Sequence, residues 1–229
     1  MTSRRAGWGD PRRCALLVID LQNDYCHPSG ALAATGQDVS AAAGAAAKAA
    51  ELLVAARAAG APCVHLRSEH SQWTDTPEWL ARGDAGNLLD PRKIPIARAG
   101  SWGAAPFQIE AAAGDRVLVK HRYSGFAHTP LELTLRAVDR DVAVLTGVTS
   151  DLCVRATGLD ALARGFTPVL VADATAAADP DRHAGACREF ASYLGPVVTS
   201  AELIDAWAPA ASKSAAAEPA TLDTAGGSR

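Results

Sequence analysis

No apolar run in these 229 residues approaches the roughly 20 residues that a membrane-spanning helix requires. The first residues hold arginines with no apolar core behind them, so no export signal is expected. Neither sign of charge dominates: 22 Lys and Arg against 25 Asp and Glu leave a formal charge of −3. That balance offers no general attraction for nucleic acid or for an acidic membrane. The cysteines are five, an odd number, and scattered, which speaks against a disulfide framework. Reduced thiols in a cytoplasm are the expectation. No internal repeat is present, so a solenoid or propeller is excluded.

What the chain does have is ordinary for a globular domain, with 48% hydrophobic and 21% charged residues. The length suits one domain with helices on both faces of a sheet. Short apolar runs at Ala15–Ile19, Pro62–Leu66, Arg116–Val119, Asp141–Leu145 and Pro168–Val171 read as strands, with Val197-Val198 as a short edge strand. Between them lie helical stretches: an alanine-rich Val39–Ala59, Pro130–Val138, a segment after Cys153 that stops at Gly165, Arg182–Leu194 and Ala201–Trp207. This alternation predicts an α/β fold, a three-layer α/β/α, Rossmann-like arrangement around a mostly parallel sheet of about six strands. Residues 1–13 read as a flexible arm, 14–207 as the domain, and 208–229 as a disordered tail rich in Ala, Ser, Pro, Thr and Gly. From Ser71 to Trp102 no period is sustained, and a loop of that length in a compact domain suggests a lid.

The chemistry gathers around Thr146–Arg155, where a strand turns into a helix and Cys153 falls in the first turn. Ser150 or Asp151 can cap that helix, and its unpaired N–H groups and dipole would lower a thiol pKa. Cys153 is then either a nucleophile beside its own oxyanion site or a small buried residue at a tight turn. Asp20 and Lys120 decide how to weigh the two. Each falls, like Cys153, at or just past the carboxyl end of a different predicted strand, and ligands of such folds bind beyond the strands' carboxyl ends. A structural Asp–Lys pair closing the sheet would satisfy both charges. With a thiol between them, Asp20 can take its proton and Lys120 can hold the thiolate. Backbone N–H groups of Thr149 and Cys153 are the candidate oxyanion donors.

Leu17–Asp24, Lys120–Phe126 with Thr129, and Gly147–Val154 resemble, in order and spacing, the isochorismatase-like cysteine hydrolases, as does Asp160-Ala161…Gly165-Phe166…Asp173-Ala174. The resemblance covers about Ala15 to Trp207. It implies an Asp–Lys–Cys triad at Asp20, Lys120 and Cys153, and a cis peptide before Thr149 that aims its N–H into the oxyanion hole. It also implies a homodimer or homotetramer and a small-molecule substrate. Ser150 stands where the family more often has Thr. Nicotinamidases of the family carry a metal site written Asp-x-His; here Ser68 takes the Asp position, no second His follows His70 in reach, and no metal or other cofactor is expected. Isochorismatases proper usually lack the thiol, so Cys153 points to C–N cleavage. Lys120–Phe126 and Gly100-Ser101-Trp102 look nearest to the ureide and carbamoyl amidohydrolases. The implied activity is a metal-independent cysteine amidohydrolase, against the alternatives of a vinyl-ether hydrolase or a non-catalytic binding protein.

For substrate binding the candidates are Gln22, Tyr25, His70, Trp73, Trp102, Arg122, Tyr123 and Phe126. Arg122 suits either a carboxylate clamp or a surface salt bridge. Trp73, Trp79 and Trp102 suit lid packing as well as substrate contact. Cys14, Cys26, Cys63 and Cys187 read as ordinary thiols, Cys26 being nearest to Asp20 in sequence. Trp8 belongs with the arm, Trp207 reads as a packing anchor and His183 as solvated.

Overall fold

A computed structural model describes residues 7–82 and 92–215. The apolar runs become β1 (Cys14–Ile19), β2 (Cys63–Ser68), β3 (Arg116–Lys120), β4 (Val142–Val148), β5 (Thr167–Ala176) and β6 (Val197–Val198). They form a six-stranded sheet in the order β3-β2-β1-β4-β5-β6, with every pairing parallel. The helices, in chain order, are α1 (Asn23–Cys26), α2 (Ala31–Ala34), α3 (Ala41–Ala58), α4 (Pro77–Ala81), α5 (Leu131–Ala137), α6 (Arg155–Ala163), α7 (Pro180–Glu189) and α8 (Ser200–Ala215).

Strand side chains alternate between two cores. Leu16 and Val18 of β1 pack with Ala45, Ala49, Leu52 and Leu53 of α3 and with Leu203 and Trp207 of α8. Leu17 and Ile19 turn to the other face and meet Leu131 and Leu135 of α5, Ala161 of α6 and Phe190. Both faces being covered is why β1 and β4 are continuous apolar runs and not alternating ones. The inward side of α3 is mostly alanine, which lets its backbone lie close to the sheet.

This order places a crevice over the carboxyl ends of the two central strands. From β1 the chain winds out to β2 and β3, and from β4 it winds the opposite way to β5 and β6. The loops after β1 and β4 therefore part at the switch point, where such sheets bind ligands. Gly147 is needed there: its φ is +103°, and a Cβ would lie 2.0 Å from the Ile19 carbonyl oxygen.

Two boundaries move. Residues 7–13 are turns packed on the domain, not a flexible arm. Trp8 packs against the core that contains Trp207, its carbonyl accepts from the Cys14 thiol at 3.0 Å, and Arg13 pairs with Asp141 at 2.7 Å. At the other end α8 runs past Trp207 to Ala215, because alanine-rich sequence is as good a helix former as it is a tail. The expected arm's residues 1–6 and the expected tail's residues 216–229 lie outside the described residues. No helix among the described residues is long and apolar enough to cross a membrane.

Trp207 is fully buried where α8 meets α3 and β1. Trp207→Ala is expected to cost about 3–5 kcal/mol of stability, as aromatic-to-alanine changes in cores do, measured by urea unfolding. An unchanged midpoint would show that α8 is peripheral to the domain.

Candidate active site

Asp20 follows β1 in a left-handed conformation, φ +51°, which aspartate tolerates better than most residues, and its N–H donates to the Leu66 carbonyl at 2.9 Å. Lys120 ends β3, two strands away. Their side chains are 1% and 0% exposed, and Oδ2 of Asp20 lies 2.8 Å from Nζ of Lys120. Ser68 bridges the gap from the strand between, where it is the register partner of Lys120. Its Oγ donates to Oδ1 of Asp20 and accepts from Nζ of Lys120, both at 2.9 Å. Nζ also donates to the Arg122 carbonyl at 3.1 Å. Burial works to lower the Lys120 pKa, but Asp20 and Cys153 outweigh it and hold the ammonium above the ordinary lysine range.

Cys153 reaches this pair from β4. The Val148–Thr149 peptide is cis, and Ser150–Val154 form a π-helical turn that leads into α6. Neither Ser150 nor Asp151 is the N-cap expected from the sequence. Thr149 holds that position without a side-chain cap; Ser150 is buried with its Oγ 3.0 Å from Nδ1 of His183, and Asp151 lies 3.9 Å from Arg182. The Cys153 sulfur lies close enough to Asp20 and Lys120 to feel both charges. Its thiol is not lowered by the helix terminus. Burial pushes it up to about 12, Lys120 opposes and Asp20 adds to the rise. The resting thiol is protonated, beside a carboxylate placed to receive the proton.

Above the sulfur opens a cavity of about 580 Å³, a volume suited to a small molecule. Of the residues expected to bind substrate, Tyr25, His70, Arg122 and Tyr123 line it, as do Thr149 and Cys153. The other four do not. Gln22 is fully buried and its amide is consumed by backbone, with Nε2 donating to Ser68 and Ala104 carbonyls and Oε1 accepting from the Ser68 N–H. Phe126 is in the core against Phe166. Trp73 is 87% exposed, and Trp102, also exposed, stands edge-on to His27.

The 71–102 segment does wall the cavity, through residues that periodicity passed over. Thr76 caps α4 by accepting from the Trp79 N–H, with Pro77 in the first turn, a start signal legible in Thr76-Pro77. This presents Trp79 and Arg82 to the cavity, the guanidinium 3.6 Å from the indole centroid. Residues 83–91 of that expected loop lie outside the described residues. Ser68 was legible too, as a polar residue ending an apolar strand beside Lys120. His183 is half-buried against Ser150 and Cys187 and not solvated. Cys14, Cys26 and Cys63 are buried thiols raised to about 12 by desolvation first of all. His70 pairs with Asp75, and among the described residues no three His, Cys, Asp or Glu side chains converge as metal ligands.

Residues 14–202 match the isochorismatase domain family model. The ureidoacrylate amidohydrolase RutB of Methylobacterium radiotolerans is 34% identical over 201 residues, covering 81% of this chain and 76% of that protein. Among solved structures, a cysteine hydrolase from Pseudomonas syringae pv. phaseolicola superposes with a TM-score of 0.76 at 26% identity, covering 92% of this chain and 100% of the other. The N-carbamoylsarcosine amidase of Thermoplasma acidophilum is 32% identical with a TM-score of 0.64, covering 82% and 96%.

Lys120 is the cation that opposes the rise of the Cys153 thiol. Lys120→Met is therefore expected to raise that thiol further and to slow its alkylation by iodoacetamide at least about tenfold at pH 8, read by peptide mass spectrometry on protein shown folded by circular dichroism. An unchanged rate would show that Lys120 does not act on the sulfur.

Proposed function

The chain belongs to the isochorismatase family of hydrolases, and on that premise we propose that it is a metal-independent cysteine amidohydrolase of small ureides, carbamoyl compounds or amides. The observation that carries this reading is a thiol at the cavity wall beside a buried carboxylate–ammonium pair whose charges act on it. Asp20 takes the thiol proton as the sulfur attacks the substrate carbonyl carbon, and Lys120 balances the negative charge that remains. The oxyanion forms against the backbone N–H groups of Thr149 and Cys153, each such contact typically worth roughly 3 kcal/mol in the transition state. As the C–N bond breaks, Asp20 gives the proton to the leaving nitrogen and a thioester remains on Cys153. Water then attacks the thioester with Asp20 as base, and the proton returns to the sulfur as the acid leaves.

Arg122 supports a substrate that also carries a carboxylate. It lines the cavity, its Nη1 donates to the Thr74 and His121 carbonyls, and among the described residues no carboxylate pairs with it. The names of the relatives fit this reading, ureidoacrylate and N-carbamoylsarcosine being ureido acids. The absence of a vinyl-ether step follows from the thiol, since protonation and water attack have no use for a thiolate. Metal independence is supported by the ligand set: Ser68 is spent on Asp20 and Lys120, and among the described residues no three His, Cys, Asp or Glu side chains converge as metal ligands.

Cys153→Ala is expected to abolish ammonia release from a panel of small ureides and amides, with the fold retained, and the wild type is expected to keep its activity after exhaustive EDTA dialysis. Substantial turnover by Cys153→Ala would contradict the nucleophile. Loss on chelation with recovery in zinc would contradict the metal-free mechanism.

A further inference from the structure

The cavity wall holds one more polar side chain that packing has buried and left half used. His70, 6% exposed, lies two residues past β2. Its N–H donates to the Ala97 carbonyl at 2.9 Å and its carbonyl accepts from the Ala99 N–H at 3.0 Å. The ring stacks on Trp79 with centroids 5.8 Å apart, so its plane is fixed as well. Nδ1 lies 2.9 Å from Oδ1 of Asp75, whose other carboxylate oxygen is held by Arg98. A carboxylate only accepts, so Nδ1 carries the proton. Burial, with the charges of Arg82 and Lys120, outweighs Asp75 and keeps the imidazole below the ordinary histidine range, hence neutral. The remaining nitrogen, Nε2, is then a bare acceptor with no partner among the described residues.

We propose that Asp75 fixes His70 in this tautomer so that Nε2 accepts a hydrogen bond from an N–H of the bound amide or ureide, making His70 the residue that selects amide nitrogen over ester oxygen. The inference rests on the amidohydrolase reading and adds its specificity. An amide presents an acceptor oxygen and a donor N–H on the same carbon. The site answers with backbone donors at Thr149 and Cys153 and an acceptor at His70. An ester places lone pairs where the N–H would be, and two acceptors facing each other repel. Sites built around a substrate N–H reject analogues that lack it far more strongly than apolar pockets reject a missing methylene. A metal-ligand role would require Nε2 to share its ion with further ligands, and among the described residues no three His, Cys, Asp or Glu side chains converge as such a set.

The test separates binding from chemistry by using Cys153→Ala, which holds ligand without turning it over. Calorimetric titration with succinamate and with monomethyl succinate compares a primary amide and an ester on the same carboxylate-bearing skeleton. The amide is expected to bind at least about tenfold more tightly. Adding His70→Phe, which keeps the ring stack and removes the acceptor, should erase that preference while leaving ester affinity within about twofold. His70→Gln, whose amide oxygen can accept, should restore a preference of several-fold. Equal binding of the two ligands by Cys153→Ala, or a preference that survives His70→Phe, would overturn the proposal. So would an equal loss of affinity for both ligands. Failure of the amidohydrolase reading looks different: the amide preference and its dependence on His70 would stand while the wild type released no ammonia from any amide or ureide.

Discussion

The buried contact between Asp20 and Lys120 is the constraint on which the rest depends. Two charges with almost no exposure are tolerable only if each is satisfied, and removing one partner from such a pair typically costs about 3–5 kcal/mol. Three strand ends must therefore stay in register. β3 delivers the ammonium, β1 the carboxylate, and β2 between them delivers Ser68, whose hydroxyl touches both. Gln22 then locks the end of β2 by bonding both the N–H and the carbonyl of Ser68. The edge of the sheet that looks like a site is first of all a solution to a burial problem.

That solution sets the electrostatics of the thiol. A sulfur placed against a lone ammonium would ionise at rest; one placed against a neutralised pair, in a dry wall, does not. The design favours a proton that moves during attack over a permanently charged nucleophile. A protonated resting thiol is also less open to casual oxidation, since thiolate character governs that chemistry. Elsewhere around the cavity, α4 and the strand-like pairing of His70 with Arg98 bring Trp79, Arg82 and His70 into the same lining as Cys153, the wall to which we assign substrate specificity.

Much of this was legible in the chain because burial leaves a plain signature. Continuous apolar runs marked strands covered on both faces, and Asp20 and Lys120 stood out as charges that ended them. The substrate wall was harder to read. Gln22 and Phe126 sit beside the reacting residues in sequence, yet alternation at a strand end and a tight loop turn their side chains into the interior. Trp73 and Trp102 have the right chemistry for a lid, but aromatic identity does not encode direction. Trp79 was separable from them only by its place behind Thr76-Pro77, which starts a helix. The helix-terminus argument for Cys153 failed because dipole effects of about 1 kcal/mol are outweighed by the desolvation of a buried thiol.

The claim at the centre of this account is that Cys153 carries the acyl group during turnover. Acid quenching of the wild-type enzyme in the steady state with a rapidly hydrolysed ureide or amide, followed by intact-mass and peptide analysis, addresses it directly. The account predicts an adduct with the mass of the substrate's acyl group on the peptide containing Cys153. Full turnover with no adduct at Cys153, or with the adduct on another residue, would contradict it.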